Sequence, residues 1–360
     1  MLNTALPPIL EVYHPTRVPD PVLSLLQAFL PQTLPVLRRI QFAKNFAERG
    51  GTTKSSRVVH VYHPEFYNPA DDGSQGQYFV TAYVDLTRWP ETQVWLFSSV
   101  EVKVSGETSL GCMRVTLYEG EGRVHDGLLG GLFGFIAGLE WPESEGEGVE
   151  EIKKVVGRKG KEERKILVGS IHEVVRRRML AMGMGLEKTE VAGGQEWEWD
   201  YKFLFRIEEL PELEGEMRQE RWEANGRGFY WDTVKKEDVK LVKSRTGIDR
   251  QEATLLMVPS VAVRLGATDQ AVGWAFLGLD GTVMTLHVEE PYRRLGLGKA
   301  IAIKLMREHL GEYATDGYGA ADVWVGNEKS QGLCRAIGGR TRWIVSWGIL
   351  DLESIQNIKL

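Results

Sequence analysis

Residues 281–310, GTVMTLHVEEPYRRLGLGKAIAIKLMREHL, join an apolar run to a basic, glycine-punctuated loop and then to an amphipathic segment, a junction that few folds accommodate. The first part reads as a strand, and the apolar residues from Leu297 onward recur at helical spacing. Gly296 and Gly298 leave the helix entry bare of side chains, so a ligand can approach its backbone. Successive N–H groups and the positive end of the helix then favour an anion, and Arg293, Arg294 and Lys299 strengthen the same field. Spacing separates three phosphate loops. A P-loop needs Ser or Thr after its Gly-Lys, but Ala300 follows Lys299, and a Rossmann fingerprint needs a third glycine where Ile301 stands. What remains is R-x-x-G-x-G at Arg293, Gly296 and Gly298, directly after a strand.

This pattern resembles the pyrophosphate-binding motif of the GNAT superfamily of acyl-CoA-dependent N-acyltransferases. The resemblance extends both ways. Upstream, AVGWAFLGLDG at 271–281 reads as a strand ending in an Asp280-Gly281 hairpin turn. Downstream, the apolar run 321–326 is followed by Asn327, Ser330 and Leu333, similar to the family's N-x-x-S-x-x-L segment. Residues 238–247 and 274–306 resemble the C-terminal domain of the glycine N-acyltransferase-like branch, and the match covers 228 to about 352. A looser similarity to the N-terminal domain of that branch lies at 83–97, YVDLTRWPETQVWLF.

The resemblance implies an α/β fold of the α+β type with a mixed sheet, and a GNAT fold in the C-terminal half. Its order is strand, two helices, three antiparallel strands, helix, strand, helix, strand, with a splay between the fourth and fifth strands. The elements expected are strands at 228–232, 260–265, 272–279, 283–288, 321–325 and 342–350 and helices at 236–245 and 249–257. The N-terminal half reads as an α/β domain of smaller similarity, with a degenerate GNAT-like repeat as the alternative. Its periodicity gives helices at 21–31 and 34–46 and strands at 57–62, 78–84, 94–100 and 113–117. A helix over 170–184 follows, placing His172 and Arg176 to Arg178 on a solvent face, then a strand over 197–207. Residues 68–74 are turn-rich, and more than half of 141–165 are charged, which reads as a solvated insertion. The acidic, proline-containing stretch 208–226 is the expected linker between an N-terminal domain of 1–207 and a C-terminal one of 227–360.

At 360 residues two domains are the default, and a 42% hydrophobic fraction allows two cores. A formal charge of −6 argues against nucleic acid as a partner. Two cysteines, Cys112 and Cys334, make neither a disulfide framework nor a zinc site. No run reaches the roughly 18 apolar residues of a membrane span, so no membrane is expected. The N-terminus lacks a signal-peptide pattern, giving a cytoplasmic expectation with mitochondria as the alternative. Oligomeric state is not legible.

The partners the resemblance implies are acetyl-CoA or another acyl-CoA as co-substrate, with no metal, and a small amine, glycine or another amino acid being the branch default. The diphosphate would meet the N–H groups of Arg294, Leu295, Gly296, Leu297, Gly298 and Lys299 beside Arg293. Pantetheine would lie along Leu286 and Val288, whose N–H stands where the family places its oxyanion donor, with Asn327 and Ser330 bonding the arm and capping the helix. The family's glutamate base aligns with Thr282, which cannot take a proton at neutral pH, so His287 and Glu289 become candidates, with Glu290 beside them; Glu289 and Glu290 also suit pairing with Arg293 and Arg294. Cys334 stands where many relatives have a tyrosine acid, and would otherwise be a packing residue. Two other readings stay open: a lysine or polyamine acetyltransferase, and a CoA-binding protein without transferase activity.

Overall fold

The computed structural model describes residues 6–67, 77–105, 114–115, 117, 120–141, 164–191, 195–197, 199–248 and 250–358. Readings made on 68–74, Cys112 and most of the charged segment 141–165 lie outside them. The chain divides into two compact units, Met1–Trp199 with Trp343–Leu360, and Asp200–Arg342.

Unit 1 contains β1 (Ile9–Tyr13), α1 (Asp20–Ala28), α2 (Leu34–Asn45), β2 (Arg57–Tyr62), β3 (Phe79–Val84), β4 (Val94–Ser98), the short β5 (Val104–Ser105) and β6 (Arg114–Val115), α3 (Glu121–Gly138), β7 (Lys165–His172), α4 (Glu173–Ala181), β8 (Gly185–Val191) and β9 (Gln195–Trp197). Strands β1 to β4 pair antiparallel in sequence, and β7 joins β4 in parallel at Val94↔Val168 and Trp95↔Gly169. Every residue of β3 and β4 is buried, because helices cover both faces. On one face Val59, Val61, Val80, Ala82 and Leu96 pack with Leu128, Leu129, Leu132, Phe133 and Ile136 of α3. On the other, Phe29 meets Phe79 edge-on at 5.3 Å, and the Arg39 guanidinium of α2 lies 3.8 Å from the centroid of the Tyr83 ring.

Unit 2 contains β10 (Asp200–Arg206), β11 (Arg221–Ala224), β12 (Arg227–Asp232), α5 (Val239–Ser244), α6 (Glu252–Met257), β13 (Ser260–Leu265), β14 (Ala271–Leu277), β15 (Val283–Val288), α7 (Leu297–His309), β16 (Tyr318–Trp324) and α8 (Glu328–Ala336). Strands β11 to β15 form one antiparallel meander, and β10 pairs antiparallel with β16. Helix α7 buries Leu297, Ala300, Ile301, Leu305 and Met306. Arg264, 1% exposed, is tied to Asp232 and Asp238, which fixes α5 to the sheet.

The last strand, β17 (Arg340–Asp351), departs from expectation. From Trp343 it belongs to unit 1, where it pairs antiparallel with β7 from Val345↔His172 to Asp351↔Lys165. Strand β10, formed by most of the run expected at 197–207, belongs to unit 2. Division therefore falls between Trp199 and Asp200 rather than in 208–226, and that stretch is built into unit 2 through β11, where Trp222 pairs with Phe229. Residues 170–172 also differ, ending β7 instead of opening a helix. His172 is buried and caps α4 by accepting from the Val174 N–H at 3.1 Å, and Arg176 is buried rather than solvent-facing. Strand β1 and the 18-residue α3 were not legible in the sequence.

Candidate active site

The site lies in unit 2, where two strand groups part. β15 and β16 meet in one parallel bridge, Thr282↔Ala320, and among the described residues no further pairing joins them. Beyond it the edge of β15 is open. Between Trp274↔His287 and Phe276↔Met284, β14 advances by two residues and β15 by three, so β15 carries a bulge with Thr285 at φ 54°.

The open edge presents backbone groups. Glu289 N–H donates to the Val272 carbonyl at 2.8 Å, and antiparallel alternation then turns the Val288 amide away from β14. The Val288 carbonyl is taken by Arg293 Nε at 2.9 Å, which fixes the first residue of the loop to the strand. The Val288 side chain points toward α7, since its Cγ2 lies 3.8 Å from where a Gly298 Cβ would stand.

The entry to α7 fits an anion. Gly296 is the N-cap, at φ 78°, with no side chain bonded to the cap, and Arg294 has φ 66°. Among the described residues no carbonyl or side chain accepts from the N–H groups of 294–299; the first amide satisfied is that of Ala300, bonded to the Gly296 carbonyl at 3.1 Å. Arg293, Arg294 and Lys299 are exposed, Leu295, Gly296 and Gly298 half-buried, and Leu297 alone is buried. A Gly298 Cβ would stand 3.1 Å from Leu333 Cδ1, so glycine here allows close packing of α7 on α8. Neutralising two exposed charges with Arg294→Gln and Lys299→Gln is expected to raise the Kd for CoA about tenfold at unchanged melting temperature; calorimetry showing unchanged affinity contradicts the site.

His287 lies on the opposite face from Val288, its ring stacked on Trp274 at 5.0 Å and 25°. Its Nε2 is buried without a hydrogen-bond partner among the described residues, and the nearest carboxylate, Glu289, stands at 3.7 Å. Burial lowers the imidazole below its ordinary range; Glu289 opposes this, and Arg293 and Arg245 add to it. Glu289 itself pairs with Arg245 at 2.8 Å, not with Arg293 as its sequence position suggested. Thr282 donates to Asp280 at 2.7 Å, a buried pair that alignment of the strand alone did not reveal. Asn327 caps α8 by accepting from the Ser330 N–H at 3.1 Å. Cys334 is buried, and desolvation pushes its thiol up to about 12.

Unit 1 repeats the order of antiparallel β2 to β4, helix, parallel strand and helix. The corresponding end of α3 carries Glu121, which is buried, accepts from the Tyr78 hydroxyl and pairs with Lys103 at 3.3 Å. That helix end is filled by a carboxylate of its own chain.

Mixed sheet, parted strands and bare helix entry are those of the GNAT fold. Residues 9–196 match the acyl-CoA N-acyltransferase verG N-terminal domain, and the chain belongs to that family of the GNAT superfamily, whose members use acyl-CoA as co-substrate. An X-ray structure of a Drosophila protein is similar over 95% of this chain and 98% of its own, at 15% identity and a TM-score of 0.53, a likeness of fold. A tandem GNAT protein from the clavulanic acid biosynthesis pathway (9% identity, 96% and 98% covered, TM-score 0.46) and a GCN5-related N-acetyltransferase from Sphaerobacter thermophilus (12%, 95% and 96%, 0.45) are also similar. No curated protein matches the chain. Among the described residues no helix is long and apolar enough to cross a membrane.

Proposed function

We propose that unit 2 transfers an acyl group from CoA to the amine of a small molecule, an amino acid such as glycine being the acceptor class, by direct attack without a covalent enzyme intermediate. The observation that carries this is the run of unsatisfied N–H groups at 294–299 lying past the open edge of β15. Those amides, with Arg293, Arg294 and Lys299, hold the diphosphate. Leu286 and Val288 offer backbone to the pantetheine arm, and Asn327 and Ser330 border it. His287, neutral and with its Nε2 unpaired, takes the proton from the attacking amine through one intervening water, because the nitrogen itself is buried. The Val288 N–H donates to the carbonyl oxygen as negative charge develops there.

Glu289 serves as the carboxylate nearest His287 rather than as a base itself, because its oxygen is engaged by Arg245. Cys334 packs. A thiol held near 12 is a poor donor to a leaving thiolate of ordinary pKa, about 8.5, so solvent supplies that proton. A second reading, CoA binding without transfer, is favoured by the bonded Thr282 hydroxyl and the buried Cys334, at the two positions where the family resemblance implies a base and an acid. Thiol release from acetyl-CoA and benzoyl-CoA across amino acids, polyamines and lysine peptides separates the two. Turnover is expected with amino acids, whereas CoA binding with no turnover on any amine supports the second reading.

A further inference from the structure

Glu289 Oε1 faces two nitrogens. It accepts from Arg245 Nε at 2.8 Å and stands 3.7 Å from His287 Nε2, beyond hydrogen-bond reach. Arg245 is the C-cap residue of α5, and its guanidinium also reaches the Ser244 hydroxyl at 3.3 Å. The hold therefore comes from a different element than β15, which carries His287 and ends one residue before Glu289. Helix α5 is in turn fixed to the sheet by Asp238, which accepts from the buried Arg264. The charged groups facing His287 are Glu289 just past the end of its strand, Arg293 from the following loop and Arg245 from the C-cap of α5; Trp274 of β14, stacked on the ring, carries no charge.

We propose that Arg245 is a positioning residue that keeps the Glu289 carboxylate off His287, leaving the imidazole Nε2 lone pair free. Without Arg245 the carboxylate closes the gap and the pair becomes a hydrogen-bonded ion pair, which favours the protonated ring and removes the acceptor the reaction uses. Arg245 acts through Glu289 and touches no reacting atom. The inference rests on the reading of His287 as the base.

The test is a double-mutant cycle on the imidazole itself, with Arg245→Gln, Glu289→Gln and the pair of substitutions in the full chain. NMR titration of His287, assigned by its loss in His287→Ala, is read beside the pH profile of kcat/KM. In Arg245→Gln the imidazole titration and the acid limb of the profile are both expected to rise by about one pH unit. The same substitution in the Glu289→Gln background is expected to move the titration much less. An unmoved titration, or an equal rise in both backgrounds, overturns the inference, since the second is what loss of a distant positive charge gives. A titration that moves as expected with an unmoved rate profile leaves Arg245 in its role and removes His287 as the base. Arg245 and Glu289 lie at the surface end of α5 and β15, and a circular dichroism spectrum like that of the parent protein secures the comparison.

Discussion

Replacing His287 with alanine is expected to lower kcat/KM about a hundredfold at pH 7, and by progressively less as the pH rises. An amine attacks only once it has lost its proton, and at neutral pH the enzyme must carry that proton away. The imidazole is suited to this: burial lowers its pKa, so it stays neutral through the neutral range, and its Nε2 has no other partner among the described residues. At high pH the free amine is already abundant and the base matters less. A deficit of the same size at every pH contradicts the assignment and points to a packing role on Trp274.

The second large effect concerns stability. His60, His125 and His172 of unit 1 are buried, and desolvation lowers each to about 3 against an ordinary 6.5. His60 keeps one bond, to Thr81 at 2.8 Å, while neither ring nitrogen of His125 has a partner among the described residues. All three are thus neutral when folded and take up protons on unfolding. Their contribution is fully present above pH 6.5 and is lost as the pH falls from there toward 3, at about 1.4 kcal/mol per pH unit for each histidine, or about 4 kcal/mol per unit together. Denaturant midpoints should therefore fall steeply between pH 6.5 and 5, and His125→Leu should flatten that slope by about a third. A midpoint independent of pH over this interval contradicts the burial of these rings as neutral groups.

Local order in unit 2 was legible because its strands are short apolar runs and its turns carry Asp280-Gly281 and Gly296. The bare entry to α7 followed from the same residues. Helix α3 was not legible: the seven glycines from Gly120 to Gly138 weaken its helix propensity, and packing on β2 and β3 makes the segment helical. His172 was misplaced because the pattern of 170–184 fits a helix until β17 supplies a partner strand, and β17 comes from the other end of the chain. The same remoteness hid the domain division, since composition marks 208–226 as polar but says nothing of which sheet β10 and β17 join. At the site, the register that stacks His287 on Trp274 and the reach of Arg245 to Glu289 are contacts between elements, with no trace in local spacing.

If the bare backbone entering α7 takes the diphosphate while β15 guides the arm, CoA must perturb those amides first. Amide NMR shifts during titration with CoA test it residue by residue. The largest changes are expected at 294–299, followed by Leu286 and Val288, with little at the Glu121 end of α3. Saturable CoA binding that leaves 294–299 unshifted contradicts it.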